Sequence, residues 1–374
     1  GQDHVVVELT DHGLPGDTGT NDALAGLAHE LGLPIVATNN VHYAHPGDHQ
    51  LAAAMAAVRA RRSLAEMDGW LPPWGGACLR SGVHMRQRFA RYPGAVERSA
   101  ELAVQLAFDL RKATPRLPKE GIPAGHTVMS WLRKLVEDGF AHTYGGTPHE
   151  AAARERVDSE LELIESKDFA GYFVIVHDIV EFARSKKILC QGRGSAASSA
   201  VCYVLGITAI DAVYFGLPFQ RFLSEHRNEA PDIDVDFDSD RREEVIQWVY
   251  ERYGRHNAAQ VANVISYRPK MAVRDAAKAL GYATGQQDAW SKAVDAWGGL
   301  IQPEADPVQD MPVPASVAEL AGQLLRAPRH LGIHSGGMVL TERPIGEVCP
   351  IERARMDKRT ILQWDKDACA YMGL

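Results

Sequence analysis

Cysteine is scarce in this sequence of 374 residues. The five cysteines are odd in number, scattered and without a CxxC pair: Cys78, Cys190, Cys202, Cys349 and Cys369. Such a set favours neither a disulfide framework nor a structural zinc site. Unpaired thiols are typical of a reducing compartment, so we expect a cytoplasmic protein.

Long apolar runs are also missing. No segment approaches the roughly 18 apolar residues that span a bilayer, and the first residues lack the pattern of a signal peptide. No internal repeat or low-complexity tract is present. The sequence therefore gives no indication of secretion or of a membrane partner. With 45% hydrophobic residues, the chain can form two or three domains with separate cores.

A basic excess is the third absence, because the formal net charge is -8. Proteins that bind nucleic acids usually carry a positive surface that displaces counterions from phosphates. A nucleic-acid interface is therefore expected only if basic side chains are concentrated locally or lie in further segments of the protein.

The first hundred residues alternate strand and helix patterns. His4–Leu9 and Leu33–Thr38 are typical of strands, and the alanines and leucines of Asn21–Leu31 indicate a helix between them. This order predicts a parallel α/β layer. The polar residues Asn39–Tyr43 follow the second strand, where α/β folds place their sites, with an exposed loop as the alternative.

The middle of the chain contains a linker and further regular elements. Residues 115–123 are rich in proline and glycine and indicate a domain boundary. Helical periodicity covers Glu155–Lys167 and Phe173–Ser185, and Ile188–Gln191 is typical of a short strand.

A glycine and serine turn, Gly192-Arg193-Gly194-Ser195, follows that strand and leads into small residues suited to a helix start. Backbone N–H groups and the helix dipole converge at such a turn and can bind an anion. Arg193 adds a fork-shaped cation and Ser195 a hydroxyl donor, so a phosphate fits. Ordinary turn chemistry is the alternative for this motif alone.

Aspartates alternate with apolar residues in Pro231–Phe237. On a strand, Asp232, Asp234 and Asp236 would all face one side. Like charges this close favour one or two divalent cations, and ligands that are all oxygen favour magnesium or manganese over zinc. An acidic edge strand and a calcium loop are the alternatives, although the stretch lacks the glycine and late glutamate of an EF-hand.

The turn and the acidic strand together predict a nucleotidyl-transfer site. The turn would hold the triphosphate of a nucleotide, and the carboxylates would hold its metals. Two metals in such a site activate the attacking hydroxyl and neutralise the leaving pyrophosphate.

Eight motifs follow one another along the chain. They are Gly171-Tyr172-Phe173, Gly192-Arg193-Gly194-Ser195, Arg221-Phe222-Leu223, Pro231–Phe237, Tyr253-Gly254, Val273-Arg274-Asp275, His334-Ser335-Gly336-Gly337 and Gln363-Trp364-Asp365-Lys366. In this order and spacing they resemble the bacterial C-family DNA polymerases, the family of the polymerase III alpha subunit. The sequence between them, at 174–180, 188–191 and 263–269, is more similar to the error-prone, damage-tolerant branch than to the replicative one.

The resemblance implies a multidomain protein of the α/β and α+β classes. Residues 1–108 correspond to the C-terminal part of a PHP domain, a distorted α/β barrel. Residues 109–263 form the first part of a palm of the polymerase-beta nucleotidyltransferase type, and residues 336–374 return to it. Residues 264–335 correspond to an α-helical thumb.

The resemblance also implies template-directed DNA synthesis from dNTPs on primer-template DNA, in error-prone translesion repair. The implied catalytic metal ligands are Asp232 and Asp234, with Asp236 as a supporting metal ligand. Mg²⁺ is the implied cofactor, with Mn²⁺ as the alternative. The triphosphate-binding turn falls on Arg193, Gly194 and Ser195.

Other implied contacts are more peripheral. Arg268, Lys270 and Arg274 of the thumb correspond to DNA phosphate contacts, with solvated surface cations as the alternative. A sliding clamp and mutagenesis proteins are implied partners through further segments. The family's third catalytic aspartate would follow Leu374, so we expect a piece of a longer protein that is nearly inactive alone.

Two other functions remain open. A PHP-type metal-dependent phosphoesterase would use His42, and His45 and His49 with it, although Asn40 stands where the family's metal-binding pattern has aspartate. The second alternative function is a scaffold that binds DNA or a partner protein and catalyses no reaction.

Overall fold

The computed structural model describes residues 4–119, 121–224, 231–294 and 313–374. Gly1, with which the sequence opens, and residues 295–312 of the predicted thumb lie outside this part. The chain divides into two compact units. One contains Gly1–Asp109 and Val264–His330, and the other contains Leu110–Asn263 and Leu331–Leu374.

A two-stranded parallel sheet opens the first unit. Strand β1 (Val7–Thr10) pairs with β2 (Ile35–Thr38), and helix α1 (Asp17–Leu31) connects them. The predicted strand, helix and strand order with parallel pairing is therefore confirmed. Three helices follow: α2 (His49–Ala60), α3 (Gly82–Arg88) and α4 (Ala95–Gln105). The sheet buries Leu9 and Ala37 against Phe89, Tyr92 and Ala95.

Three further helices belong to the same unit: α10 (Pro269–Ala279), α11 (Thr284–Ala293) and α12 (Ala315–Leu324). Tyr267, Val273, Trp290, Val317 and Leu324 form their shared core, and Leu51 of α2 packs against it. The described part of the predicted thumb is thus largely helical. Its last residues are not, because 328–335 begin a long strand.

Helices form much of the second unit: α5 (Val128–Thr143), α6 (Glu150–Ser166), α7 (Ala170–Ser185), α8 (Ala200–Val204) and α9 (Arg242–Tyr253). The predicted helices at 155–167 and 173–185 correspond to α6 and α7, which begin earlier. Leu132, Phe140, Val157 and Phe173 are among the apolar residues that these helices bury, as their helical spacing requires.

Two sheets complete this unit. Strands β3 (Cys190–Arg193) and β4 (Asp234–Phe237) form an antiparallel pair. The second sheet has the order β6 (Pro328–Leu340), β5 (Ala258–Ser266), β8 (Thr360–Asp365) and β7 (Ile351–Arg353). Strand β8 is parallel to β5 and antiparallel to β7, and α13 (Lys366–Met372) follows it.

The molecule is therefore mixed α/β, as the sequence predicts. Within the described ranges, no helix combines the length and the apolar character that crossing a membrane requires.

Candidate active site

The pairing of β3 with β4 builds the candidate site. Arg193 lies opposite Asp234, and Gln191 lies opposite Asp236. Residues opposite each other in an antiparallel pair project from the same face of the sheet. The Arg193 guanidinium accordingly joins the carboxylates: its Nε is 3.0 Å from Asp236 Oδ1, and its Nη2 is 4.0 Å from Asp234 Oδ2.

The predicted alternation of burial in the acidic stretch is present, but β4 begins only at Asp234, so Asp232 precedes the strand on which it was expected. The three aspartates of this stretch are exposed and the three apolar residues between and after them are half-buried: Asp232, Asp234 and Asp236, and Ile233, Val235 and Phe237. Ile233 and Val235 pack against the helical core. The apolar residues anchor the strand and so direct the carboxylates outward.

The glycine and serine turn lies next to this strand. Gly194 has a φ of 65°, a left-handed conformation that glycine adopts without strain. The Ser195 hydroxyl donates a hydrogen bond to the backbone oxygen of Asp232 over 3.2 Å. The two motifs are therefore joined directly, although 37 positions separate these residues in the sequence.

The helix predicted directly after the turn begins later than expected. Gly194–Ser198 form a 3₁₀ helix, and α8 starts only at Ala200. Ser199 sets this boundary, because its Oγ accepts a hydrogen bond from Cys202 N over 3.1 Å as the N-cap. Helix α8 has 5 residues and is too short to carry a substantial helix dipole. The prediction that a helix dipole contributes to anion binding at the turn is therefore wrong. Backbone and guanidinium donors remain, whereas the Ser195 hydroxyl, expected as a further donor to phosphate, donates its proton to Asp232 O.

Arg193 of the turn and Asp232–Phe237 of the acidic stretch line one cleft of about 660 Å³, together with residues to which the sequence assigned no role. These include Tyr172, Gln260 and His334–Gly337. Tyr172 and the His334 segment belong to motifs that carried the family resemblance, which was the available signal. Gln260 is fully buried and accepts a hydrogen bond from Arg359 over 3.2 Å, and no sequence pattern marks it.

The donor chemistry of the cleft fits a hard divalent cation. Carboxylate oxygens suit magnesium or manganese, and no thiolate or imidazole competes within the acidic stretch itself. In the described ranges, no group of three or more His, Cys, Asp or Glu side chains is arranged to hold a metal ion. Arg193 is the cation that balances Asp234 and Asp236 here.

The residues of the phosphoesterase alternative lie in the first unit. His42 and His45 are exposed, and His49 is half-buried. Arginines occupy the neighbouring strand ends: Arg88 pairs with Asp11 at 2.6 Å, and Arg80 donates to the buried Asn39. These contacts give the polar groups after β1 and β2 partners without a metal.

The predicted DNA contacts also lie in the first unit, at α10. Arg268 and Lys270 are exposed at the start of this helix. Arg274 is one turn further on and pairs with Asp288 of α11. Part of the predicted positive surface is therefore neutralised locally.

Comparison with known proteins defines the class to which this site belongs. Residues 130–374 match the model of the family described as the bacterial DNA polymerase III alpha NTPase domain. The match covers well over half of the chain, so the chain belongs to this family. The resemblance read from the eight motifs is confirmed.

The relatives to which the chain is similar include several that carry one name. The chain is 58% identical over 374 residues to a protein of Cutibacterium acnes named error-prone DNA polymerase, covering 100% of this chain and 32% of that protein. Identity is 54% over 374 residues to the error-prone DNA polymerase of Mycolicibacterium paratuberculosis, of which 34% is covered. It is 55% over 374 residues to that of Nocardia farcinica, of which 32% is covered. The chain thus spans about a third of the length of the curated relatives it matches.

Proposed function

We propose that this chain carries part of the nucleotidyl-transfer site of an error-prone DNA polymerase, which extends a primer on a DNA template in translesion repair. The observation that carries the proposal is the register of β3 and β4, in which Arg193 lies opposite Asp234. A cation suited to a triphosphate and carboxylates suited to its metals are thereby adjacent. Family membership and the names of the relatives support the same reaction.

The acidic residues and the glycine and serine turn have separate roles in this proposal. Asp232 and Asp234 hold Mg²⁺, or Mn²⁺, and Asp236 supports them. The chemistry that a bound metal supplies is activation of the primer 3'-hydroxyl and neutralisation of the leaving pyrophosphate. Arg193 exchanges its bonds to Asp234 and Asp236 for phosphate oxygens of the incoming dNTP. Gly194 lets these oxygens approach the backbone, and Ser195 holds the turn against Asp232.

The domain assignments follow from the same proposal. Residues 109–263 and 336–374 are the palm, 264–335 the thumb, and 1–108 the C-terminal part of the PHP domain. The proposed metal ligands Asp232 and Asp234 and the supporting Asp236 all lie in this palm.

DNA contacts and partners extend the proposal beyond the cleft. Arg268 and Lys270 contact DNA phosphates, and Arg274 does so if its pair with Asp288 opens. Primer-template DNA and dNTP are the substrates, and a sliding clamp and mutagenesis proteins bind through further segments. The cytoplasm is the proposed compartment.

Nucleotide binding by the 374-residue chain tests this proposal without requiring catalysis. A fluorescent dNTP is titrated in Mg²⁺ against the chain and its Asp234→Asn and Arg193→Ala variants. Each variant should bind about tenfold more weakly, since a charged hydrogen-bonding partner of metal or phosphate is lost. Asp240→Asn is the matched control, because Asp240 is exposed and lies outside the alternation. Equal affinities for all four proteins would instead favour the acidic edge strand.

A further inference from the structure

Glu160 is a carboxylate without solvent exposure in the core of the second unit, on α6. Its oxygens accept four hydrogen bonds. Three come from the segment after the nucleotide turn: Ser199 Oγ at 2.7 Å, Ala200 N at 3.0 Å and Val201 N at 3.1 Å. The fourth comes from Arg156 Nε at 2.6 Å, one helical turn away. All the lone pairs of the carboxylate face donors.

Arg156 extends this hydrogen-bond network to two backbone carbonyl groups in different segments of the chain. Its Nη2 donates to Ser198 O and to Leu217 O, each over 3.0 Å. Its guanidinium also lies over the Phe219 ring, 5.5 Å from the centroid. The Arg156 and Glu160 pair thus holds residues 198–201 from one helix through four hydrogen bonds, one donated by Arg156 and three accepted by Glu160.

A requirement for helix stability alone does not account for this arrangement. Ser199 already caps α8 through Cys202 N, and α8 is short. Burial raises the pKa of the Glu160 carboxyl, and hydrogen bonds from Ala200, Arg156, Ser199 and Val201 oppose that shift. Burying a charged pair is costly and is often replaceable by apolar side chains. What the pair adds is a fixed location for the backbone that follows Gly194–Ser198.

We propose that Glu160 is a positioning residue for the nucleotide-binding turn. Its bonds to residues 199–201 fix the far end of the 3₁₀ segment whose near end carries Arg193, Gly194 and Ser195. The buried Ala196 and Ser198 transmit this position because they leave the segment little room to shift. The inference rests on the proposed function of the turn as a triphosphate site.

Steady-state primer extension tests the inference in a polypeptide with the full length of the relatives. Glu160→Gln keeps the shape but replaces one acceptor oxygen by a donor that faces other donors. We expect KM for dNTP to rise about tenfold, because the misplaced turn binds phosphate less well. We expect kcat to change less. Glu162→Gln on the same helix is the matched control, since Glu162 is exposed. Glu160→Asp should rescue part of the loss.

The KM and kcat values separate positioning from a merely structural role. Partial unfolding lowers the amount of active enzyme, which reduces kcat and leaves KM unchanged. That result for Glu160→Gln, or a KM equal to that of Glu162→Gln, would overturn the inference. If Glu160→Gln does not fold, Arg156→Lys provides the readout, because it keeps the charge but loses the bonds to Ser198 and Leu217. It should raise KM by a few fold, and an unchanged KM would overturn the inference equally.

Failure of the proposed function is distinguishable from failure of the inference. Arg193→Ala is made in parallel. If Arg193→Ala leaves KM for dNTP unchanged, the turn is not the triphosphate site. If Arg193→Ala raises KM while folded Glu160→Gln does not, the turn binds nucleotide but Glu160 does not position it.

Discussion

Replacement of Gly192 by alanine is expected to displace the nucleotide turn sterically. Gly192 lies in β3 directly before Arg193, and its N–H donates to Ile207 O over 2.7 Å. A Cβ on Gly192 would lie 2.6 Å from that same oxygen and 3.1 Å from the Ile207 carbonyl carbon. Ile207 is buried, so neither group can move into free space. The strand must shift, and the hydrogen bond must lengthen or break.

The magnitude follows from these two effects. Overpacking a well-packed core costs about 1–3 kcal/mol, and a lost buried hydrogen bond costs about 1 kcal/mol more. We therefore expect a loss of about 3 kcal/mol in the free energy of unfolding. In a unit of this size each kcal/mol lowers Tm by about 2–4 °C, which gives a fall of about 9 °C. Scanning calorimetry of the chain measures this directly.

Gly194→Ala is the control for Gly192→Ala. At Gly194 a Cβ meets only Asp234 Oδ2, at the ordinary distance of 3.9 Å, so no steric clash arises. The cost there is the left-handed conformation at a φ of 65°, about 1 kcal/mol. If Gly192→Ala is no more destabilising than Gly194→Ala, the close approach of β3 to Ile207 is refuted.

Two further predictions concern charge. Arg193→Gln removes the cation beside Asp234 and Asp236, so Mg²⁺ should bind a few fold more tightly in calorimetric titration while dNTP binds more weakly; weaker Mg²⁺ binding would contradict this. A hydrogen bond from the buried Arg359 lowers the pKa of the Glu243 carboxyl. That stabilisation is present above the ordinary glutamate pKa and is lost as pH falls through the lowered one. Glu243→Gln should therefore cost about 1 kcal/mol at pH 7, a modest figure because Glu243 is half exposed, and nothing in strong acid. Urea unfolding against pH measures the difference, and a cost that is the same at every pH would contradict it.

The sequence predicts the acidic face well for a simple physical reason. A period of two in Asp232, Asp234 and Asp236 is a local property, and burial of the apolar residues between them determines which side faces outward. The parallel pairing of β1 with β2 also follows from local order, because a helix of 15 residues connects the two strands.

Contacts between segments that are distant in the sequence cannot be predicted from local sequence patterns in this way. The β3 and β4 pairing joins residues some forty positions apart, and only the structure shows Arg193 opposite Asp234. Glu160 is the clearest case. In the sequence it is one of several glutamates on an acidic helix that indicates a solvated face, yet it is the one that is buried.

The start of α8 shows a third kind of difference. The small residues after Gly194, which the sequence marks as suited to a helix start, are buried: Ala196, Ser198 and Ser199. The small side chains also permit a 3₁₀ helix in this segment. The N-cap hydrogen bond of Ser199 then sets the residue at which the α-helix begins. Composition predicts the packing here but not the helical type.

Primer extension in Mg²⁺ shows whether the acidic strand holds the catalytic metals. The 374 residues are expressed within a polypeptide of the relatives' full length, beside its Asp232→Asn, Asp234→Asn and Asp240→Asn variants, and thermal unfolding verifies that all four fold. We expect the parent and Asp240→Asn to add nucleotides, and the other two variants to lose this activity. Extension by Asp232→Asn and Asp234→Asn at the rate of the parent would contradict the assignment of the acidic strand as the metal site.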